Sequence, residues 1–343
     1  MEIIKSKVLI TGINGYLGSQ VCHLFLKDGG FSVRGTVRDP TNQAKLAPLK
    51  KAYGEELFSQ IELVAADLLD AESLDRAIEG CDYVVHTASP LPIKMPEDDM
   101  ELITPAVEGT LAVMRAALKH KVKRVVVTSS GLTVTLHKEE NQKERYNEED
   151  WSDVEAITSY EKSKTLAEKA AWDFVNNLPE SERFELSVVI PALIQGPSLL
   201  TGEFSSANYM KMLMLGVLPA LPKIMLPVVD VRDVAFAHLQ AIKVPEAKNK
   251  RFILTQNTYW FKDLADILIA HFGDAYPIKT NEMVDCPSMM TKFKLNWNKV
   301  YTMDNTRSVE ILGVKYHEMK DTMVSMAEQM IADGMIPEKR IKL

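Results

Sequence analysis

The chain has 343 residues, 46% hydrophobic and 25% charged, values of a globular protein long enough to bury a large core. A net charge of -7 argues against a nucleic-acid or anionic-membrane surface. The three cysteines, Cys22, Cys81 and Cys286, are too far apart in sequence for metal-ligand spacing, so a reducing, cytoplasmic setting is expected.

Val8-Leu9-Ile10 reads as a buried parallel strand, beginning too near Met1 for a signal peptide to be expected. Thr11-Gly12-Ile13-Asn14-Gly15-Tyr16-Leu17-Gly18 follows, and then Leu17, Val21, Leu24 and Phe25 recur at helical spacing up to Gly29-Gly30. A strand, a glycine turn and a helix N-terminus make a place for a pyrophosphate, because the backbone can approach closely and the first N–H groups are unpaired. Gly12, Asn14, Gly15, Tyr16, Leu17 and Gly18 are the candidate phosphate-binding residues. Phe31 to Val37, Ile61 to Ala65, Tyr83 to Ala88, Arg124 to Thr128 and Leu186 to Ile190 read as further strands. One helix is expected from Thr104-Pro105, with Pro105 at its first position, and another from about Thr158 to Asn177. The alternation predicts an α/β doubly wound parallel sheet covered on both faces.

After Ile190 the alternation fades. Residues 1–190 are expected to be mainly dinucleotide-binding and 191–343 mainly substrate-binding, with about 229–258 returning to the first part. Met210 to Val229 is the most apolar stretch, but Lys211, Lys223, Pro219, Pro222 and Pro227 argue against a membrane helix. Met210, Met212, Met214 and Met225 either line an adaptable pocket or fill the core, and 210–227 is expected to close over the crevice as an apolar wall. Residues 139–150 are expected to form a solvated loop at the crevice mouth, and the terminal Arg340-Ile341-Lys342-Leu343 a frayed tail.

Tyr160 and Lys164 stand four apart, one turn above each other on a helix. An ammonium held nearby favours phenolate, which suits proton transfer to a carbonyl oxygen as hydride arrives at carbon. Thr128-Ser129-Ser130 falls at the expected end of a strand, where parallel sheets form their ligand crevice, and a hydroxyl there can donate to the same oxygen. At the end of the second strand stands Arg38, with Lys45 further on. A guanidinium suits a ribose 2′-phosphate, so NADP(H) is the expected cofactor, with Asp39 as the competing reader of a free ribose hydroxyl. His86 and His238 read as packed side chains, and Asp230-Val231-Arg232-Asp233 as a helix start with an ion-pair brace.

These motifs, with Gly35 to Pro40, Asp67-Leu68, His86 to Pro90, Pro191 to Pro197 and Val229 to Ala235 in one order, resemble the extended short-chain dehydrogenases/reductases. More narrowly, the chain is similar to the dihydroflavonol reductase, cinnamoyl-CoA reductase and methylglyoxal (aldehyde) reductase group. The resemblance implies a Rossmann-type sheet with a smaller C-terminal substrate-binding region, and a catalytic trio of Ser130, Tyr160 and Lys164, with Ser129 as the other serine to weigh. It implies that Lys164 holds the nicotinamide ribose, that Asp67 and Leu68 meet the adenine, and that Thr87, Ala88 and Ser89 line the cofactor. Pro191, Ala192, Leu193 and Ile194 would lie beside the nicotinamide, and Ser206 near the phosphates. Thr158 to Lys164 departs from the cinnamoyl-CoA reductase signature, and Thr135 stands where dihydroflavonol reductases carry asparagine. The expected protein is an NADPH-dependent reductase of small-molecule aldehydes and ketones, a monomer or homodimer without nucleic-acid or membrane partners. The rival readings are an NAD-dependent nucleotide-sugar epimerase or 3β-hydroxysteroid dehydrogenase/isomerase, and a non-catalytic NADP-binding sensor.

Overall fold

The structure is a computed structural model that describes residues 5–89, 98–157, 159–202, 204–279, 283–284 and 299–338. Pro90, Thr158, Cys286 and the tail 340–343 lie outside the described residues.

In β1 (Ser6–Thr11) the side chains of Val8 and Ile10 join one apolar core and that of Leu9 joins another, all three fully buried. A strand alternates its side chains between faces, so a continuous apolar run is what a sheet covered on both sides requires. Each such aliphatic side chain removed from water stabilises the fold by roughly 1.5–3 kcal/mol. The other strands of this sheet are β2 (Phe31–Val37), β3 (Ile61–Ala65), β4 (Tyr83–His86), β5 (Arg124–Thr128), β7 (Glu185–Pro191) and β10 (Lys250–Leu254). Their spatial order is β10-β7-β5-β4-β1-β2-β3, with every pairing parallel. The order reverses between β1 and β4, where Thr11 pairs with His86, and this switch point opens the crevice at the strand C-termini.

One face of the sheet is covered by α1 (Tyr16–Asp28), α2 (Gln43–Phe58) and α7 (Val231–Lys243), which contribute Val21, Phe25, Leu49 and Val234. The other is covered by α3 (Ala71–Ile78), α4 (Met100–Lys119) and α5 (Ser159–Asn176), which contribute Leu74, Val113, Ala117 and Val175. Gly29 ends α1 in the left-handed region (φ 68°), and its N–H donates to the Phe25 carbonyl. A smaller sheet joins β8 (Leu193–Gln195), β9 (Met225–Asp230) and β11 (Asn257–Trp260), in the order β11-β9-β8. It packs with α6 (Ala207–Met214), α8 (Phe261–Phe272) and the last helix, Met319–Ala332.

Three expectations fail. Helix α4 begins at Met100, so Pro105 sits inside it rather than at its first position. Leu102 and Ile103, ahead of the proline, are buried, and their burial outweighs the hydrogen bond that Pro105 cannot donate. Residues 139–150 are not a wholly solvated loop. β6 (Arg145–Tyr146) pairs with β12 (Thr302–Met303), and Tyr146, Glu148 and Asp150 are buried. The third is the methionine lining of the apolar wall, of which Met212 alone stays half-buried. Met210 and Met214 point from α6 into the core formed with Leu268, Met326 and Met330, both fully buried, and Met225 is buried on β9. The helical period of α6 explains the difference, since 210 and 214 share its inner face while Tyr209 stays exposed. Among the described residues no helix is long and apolar enough to cross a membrane.

Candidate active site

The glycine turn is shaped by contacts that side chains would obstruct. Gly12 has φ +67°, and a Cβ there would stand 3.1 Å from the Ala88 Cβ. A Cβ on Gly18 would be driven into the Gly12 carbonyl, so Gly18 sets how closely α1 approaches β1. Gly15 is different, because the nearest obstacle to a Cβ is the Gly12 oxygen at 3.3 Å. The Gly12 N–H donates to Thr36 Oγ1 at 2.9 Å, and Asn14 and Gly15 are exposed at the crest of the turn. Helix α1 has no side-chain cap and no acidic residue in its first turn. Its leading N–H groups and positive dipole end are left for an anion, so the turn fits a dinucleotide pyrophosphate. Leu17 is half-buried against the core. The Tyr16 hydroxyl donates to the Gly196 carbonyl at 2.7 Å, and its ring stacks on Phe204 at 4.3 Å. Tyr16 therefore offers its backbone to the turn while its side chain braces the crevice wall. Ser206, two residues beyond Phe204, is half-buried just ahead of α6.

At the end of β2, Arg38 is exposed and its side chain has no hydrogen bond or ion pair among the described residues, and Lys45 is exposed as well. The Asp39 carboxylate is occupied. Oδ1 accepts from both the N–H (2.9 Å) and the hydroxyl (2.6 Å) of Thr41, and these bonds hold its pKa below the usual carboxylate range. Asp67 Oδ1 accepts from the Leu69 N–H at 2.9 Å, and the Leu68 carbonyl and side chain pack on Gly109 of α4. Past β4, the Thr87 hydroxyl donates to the Thr11 carbonyl (2.5 Å), and the Ala88 N–H donates to Thr11 Oγ1 (3.0 Å). These bonds lock the ends of β1 and β4 on either side of the switch point.

Tyr160 and Lys164 lie on α5 as expected. Leu68, His86, Ala88, Ser89, Thr128, Ser129 and Lys164 line one cavity beneath the strand ends. The Lys164 ammonium is buried and donates to the Thr128 carbonyl at 2.9 Å and to Ser89 Oγ at 3.5 Å. Burial draws its pKa down to about 8, opposed by the charge of Glu168. The expected lowering of the Tyr160 pKa is not found. Burial, with Glu161 and Tyr209 adding, pushes it up to about 12. With the ammonium turned to Thr128 and Ser89, desolvation decides, and the phenol holds its proton at neutral pH.

The two serines part company. Ser129 donates its hydroxyl to Glu168, so it is committed inward. Ser130 is extended (φ -153°, ψ 146°), and its Oγ accepts the Leu132 N–H at 3.3 Å, which leaves its own proton without an acceptor among the described residues. The turn at Gly131 packs on Pro191 and Ala192, where a Cβ would meet the Ala192 Cα at 3.4 Å. Pro191 and Ala192 are buried, while Leu193 and Ile194 are half-buried along β8. His86 and His238 are buried and bonded to Thr11 and Thr128, and Asp230 caps α7 with Arg232 paired to its carboxylate. Two residues escaped the sequence reading. Glu168 could have been found, being four residues beyond Lys164 on the same helical face. Arg251, its partner, lies on a distant strand and carries no local signal.

A crevice at the switch point of a parallel sheet, with a glycine turn, a Tyr/Lys helix and strand-end serines, is that of an extended short-chain dehydrogenase/reductase. The chain belongs to the NAD dependent epimerase/dehydratase family, which it matches over residues 8–254, and it is an NAD(P)-dependent reductase of that group. It is 34% identical to tetraketide alpha-pyrone reductase 1 of Arabidopsis thaliana, over 98% of this chain and 100% of that protein. It is 31% identical to the NADPH-dependent methylglyoxal reductase GRE2 of Saccharomyces cerevisiae, over 94% of this chain and 98% of that protein. The solved yeast methylglyoxal/isovaleraldehyde reductase Gre2 complexed with NADPH superposes with a TM-score of 0.79 at 27% identity, covering 96% of this chain and 100% of the other.

Proposed function

We propose that the protein is an NADPH-dependent carbonyl reductase that converts aldehydes or ketones to alcohols. The observation that carries this reading is Tyr160 one helical turn from a buried Lys164, whose ammonium reaches the end of β5 at the Thr128 carbonyl and shares a cavity with Ser129. The named relatives, a tetraketide alpha-pyrone reductase and a methylglyoxal reductase, support it. NADPH, when bound, supplies a hydride to the carbonyl carbon. Gly12 to Gly18 and the α1 N-terminus hold the pyrophosphate, Arg38 and Lys45 the 2′-phosphate, and Lys164 the nicotinamide ribose. Asp67 and Leu68 hold the adenine, Thr87 to Ser89 and Pro191 to Ile194 the remaining cofactor surface, and Ser206 approaches the phosphates. Ser130 donates to the substrate oxygen and Tyr160 delivers the proton that completes the alcohol.

The test is NADPH oxidation with a panel of aldehydes, diketones and flavonoids, using wild type and Tyr160→Phe. Wild type should turn over several carbonyls. The variant should lose a factor of about 100 to 10,000 in rate, the usual scale of general-acid catalysis, while binding NADPH nearly as well. A variant within tenfold of wild type would remove Tyr160 as the acid. Protein purified with one tightly held NAD per chain would favour an epimerase instead.

A further inference from the structure

Glu168 follows Lys164 by one helical turn and Tyr160 by two, so the three side chains share a face of α5. It is 1% exposed. Its carboxylate accepts from the Ser129 hydroxyl, Arg251 Nε at 2.6 Å and Trp172 Nε1 at 3.4 Å, and it lies 3.1 Å from the Thr133 hydroxyl, whose single proton also reaches the Ser130 carbonyl at 2.8 Å. Arg251 is itself fixed. One guanidinium nitrogen donates to the carbonyls of Glu148 (2.6 Å) and Asp150 (2.8 Å), and the group stacks 3.8 Å from the Trp151 ring centre. A buried carboxylate with three donors cannot turn away without leaving the Arg251 charge unpaired.

Two features of the site depend on this clamp. With Ser129 tied inward and Ser130 extended after it, strand alternation turns the Ser130 hydroxyl the other way. Lys164 is faced by His86 and Ser89 from the β4 side, by the Thr128 carbonyl from β5, and by Tyr160 and Glu168 along α5. His86 is held neutral at ordinary pH, so among these groups Glu168 brings the negative charge.

Resting on the reductase reading, we propose that Glu168, clamped by Arg251, is the positioning residue of this site, fixing the Ser129 hydroxyl on its own carboxylate so that Ser130 is left to meet the substrate, and giving Lys164 its counter-charge. The experiment compares wild type, Glu168→Gln and Glu168→Asp in kcat/KM against pH at saturating NADPH, with the fastest carbonyl of the panel. NADPH affinity is read in parallel by fluorescence titration. In Glu168→Gln the alkaline limb should move about one pH unit downward, and kcat should fall about tenfold with NADPH affinity little changed. Glu168→Asp, which keeps a charge opposite Arg251, should move the limb the same way by less. A Glu168→Gln limb superimposed on that of wild type overturns the proposal. Should that variant not fold, Glu168→Asp decides, and an unmoved limb with wild-type kcat overturns it. If wild type oxidises NADPH with no carbonyl, both readings fall. If Tyr160→Phe is inactive and the Glu168 limb is unmoved, only the role of Glu168 falls.

Discussion

Arg38 and Asp39 are neighbours that would read different cofactors, and their surroundings separate them. Asp39 spends an oxygen on Thr41 within its own turn, whereas Arg38 stands exposed with no bond to its side chain among the described residues. Replacing Arg38 by alanine should therefore weaken NADPH binding and leave NADH nearly untouched. A charge-assisted contact contributes roughly 1.5–3 kcal/mol, a factor of about ten to a hundred or more in Kd. Equal losses for both cofactors, measured by titration, would place Arg38 in folding instead. The same contrast shows what single residues reveal in sequence. Tyr160 and Lys164 were legible because both lie on one helix at a fixed spacing. The inward commitment of Ser129 was not, because its acceptor is 39 residues away and held by an arginine from β10.

At the scale of elements, strands were most legible where both faces are buried, since Val8-Leu9-Ile10 of β1 and Val125-Val126-Val127 of β5 are continuous aliphatic runs bounded by turns. Segments whose burial depends on a distant partner were not. Tyr146 is buried by pairing with β12 and by Tyr301, and Glu148 and Asp150 by Arg251, none of which the local charge pattern announces. The fate of α6 carries a prediction. Because Met214 is fully buried, Met214→Trp should overpack the core and cost about 1–3 kcal/mol or more, without narrowing substrate range. Urea unfolding alongside the carbonyl panel checks both halves, and a changed substrate profile at unchanged stability would return α6's inner face to the crevice. The turn before α1 carries another. Gly15→Ala needs the Gly12 carbonyl to give by only a few tenths of an ångström and should fold, losing cofactor affinity, whereas Gly18→Ala drives its methyl into that carbonyl, forces α1 off β1 and should destabilise the fold itself. Thermal unfolding with and without NADPH separates the two cases.

Across the whole molecule, two histidines on opposite faces of the sheet couple folding to pH. His86 meets Thr11 Oγ1 at 3.0 Å, and His238 meets Thr128 Oγ1 at 2.7 Å and the Val234 carbonyl at 2.8 Å. Burial lowers their pKa values to about 3 and about 4, with the Lys164 charge adding to the effect on His86. In the unfolded chain each takes up its proton near pH 6.5. As pH falls from there toward 4 the unfolded state gains protons that the folded state refuses, so stability present above pH 6.5 is lost across that window. Each histidine forfeits about 1.4 kcal/mol per pH unit once well below 6.5, a few kcal/mol in all. Glu148, Glu161 and Asp233, whose carboxyls burial pushes up, pull the other way near the bottom of the window. Lys164 extends the trend upward. Its pKa of about 8 lies below that of an unfolded lysine, so its burial penalty is relieved between pH 8 and about 10.5 and stability rises with pH there. Urea unfolding of the cofactor-free protein from pH 4 to 8 should give an acid limb to which His86 and His238 each contribute close to one proton, with His23, whose pKa burial and Lys27 also lower, adding to it, and His238→Gln should remove about one proton. The limb separates histidines from carboxylates because Asp75, Asp82 and Glu62, whose pKa values their ion pairs lower, release stability only below about pH 4.5. An acid limb between pH 6.5 and 4.5 that His238→Gln leaves equally steep would mean that this ring is protonated in the folded state. The Thr128–His238 contact would then run from the ring Nε2–H to the threonine oxygen, because a protonated ring has no lone pair left to accept the threonine hydroxyl.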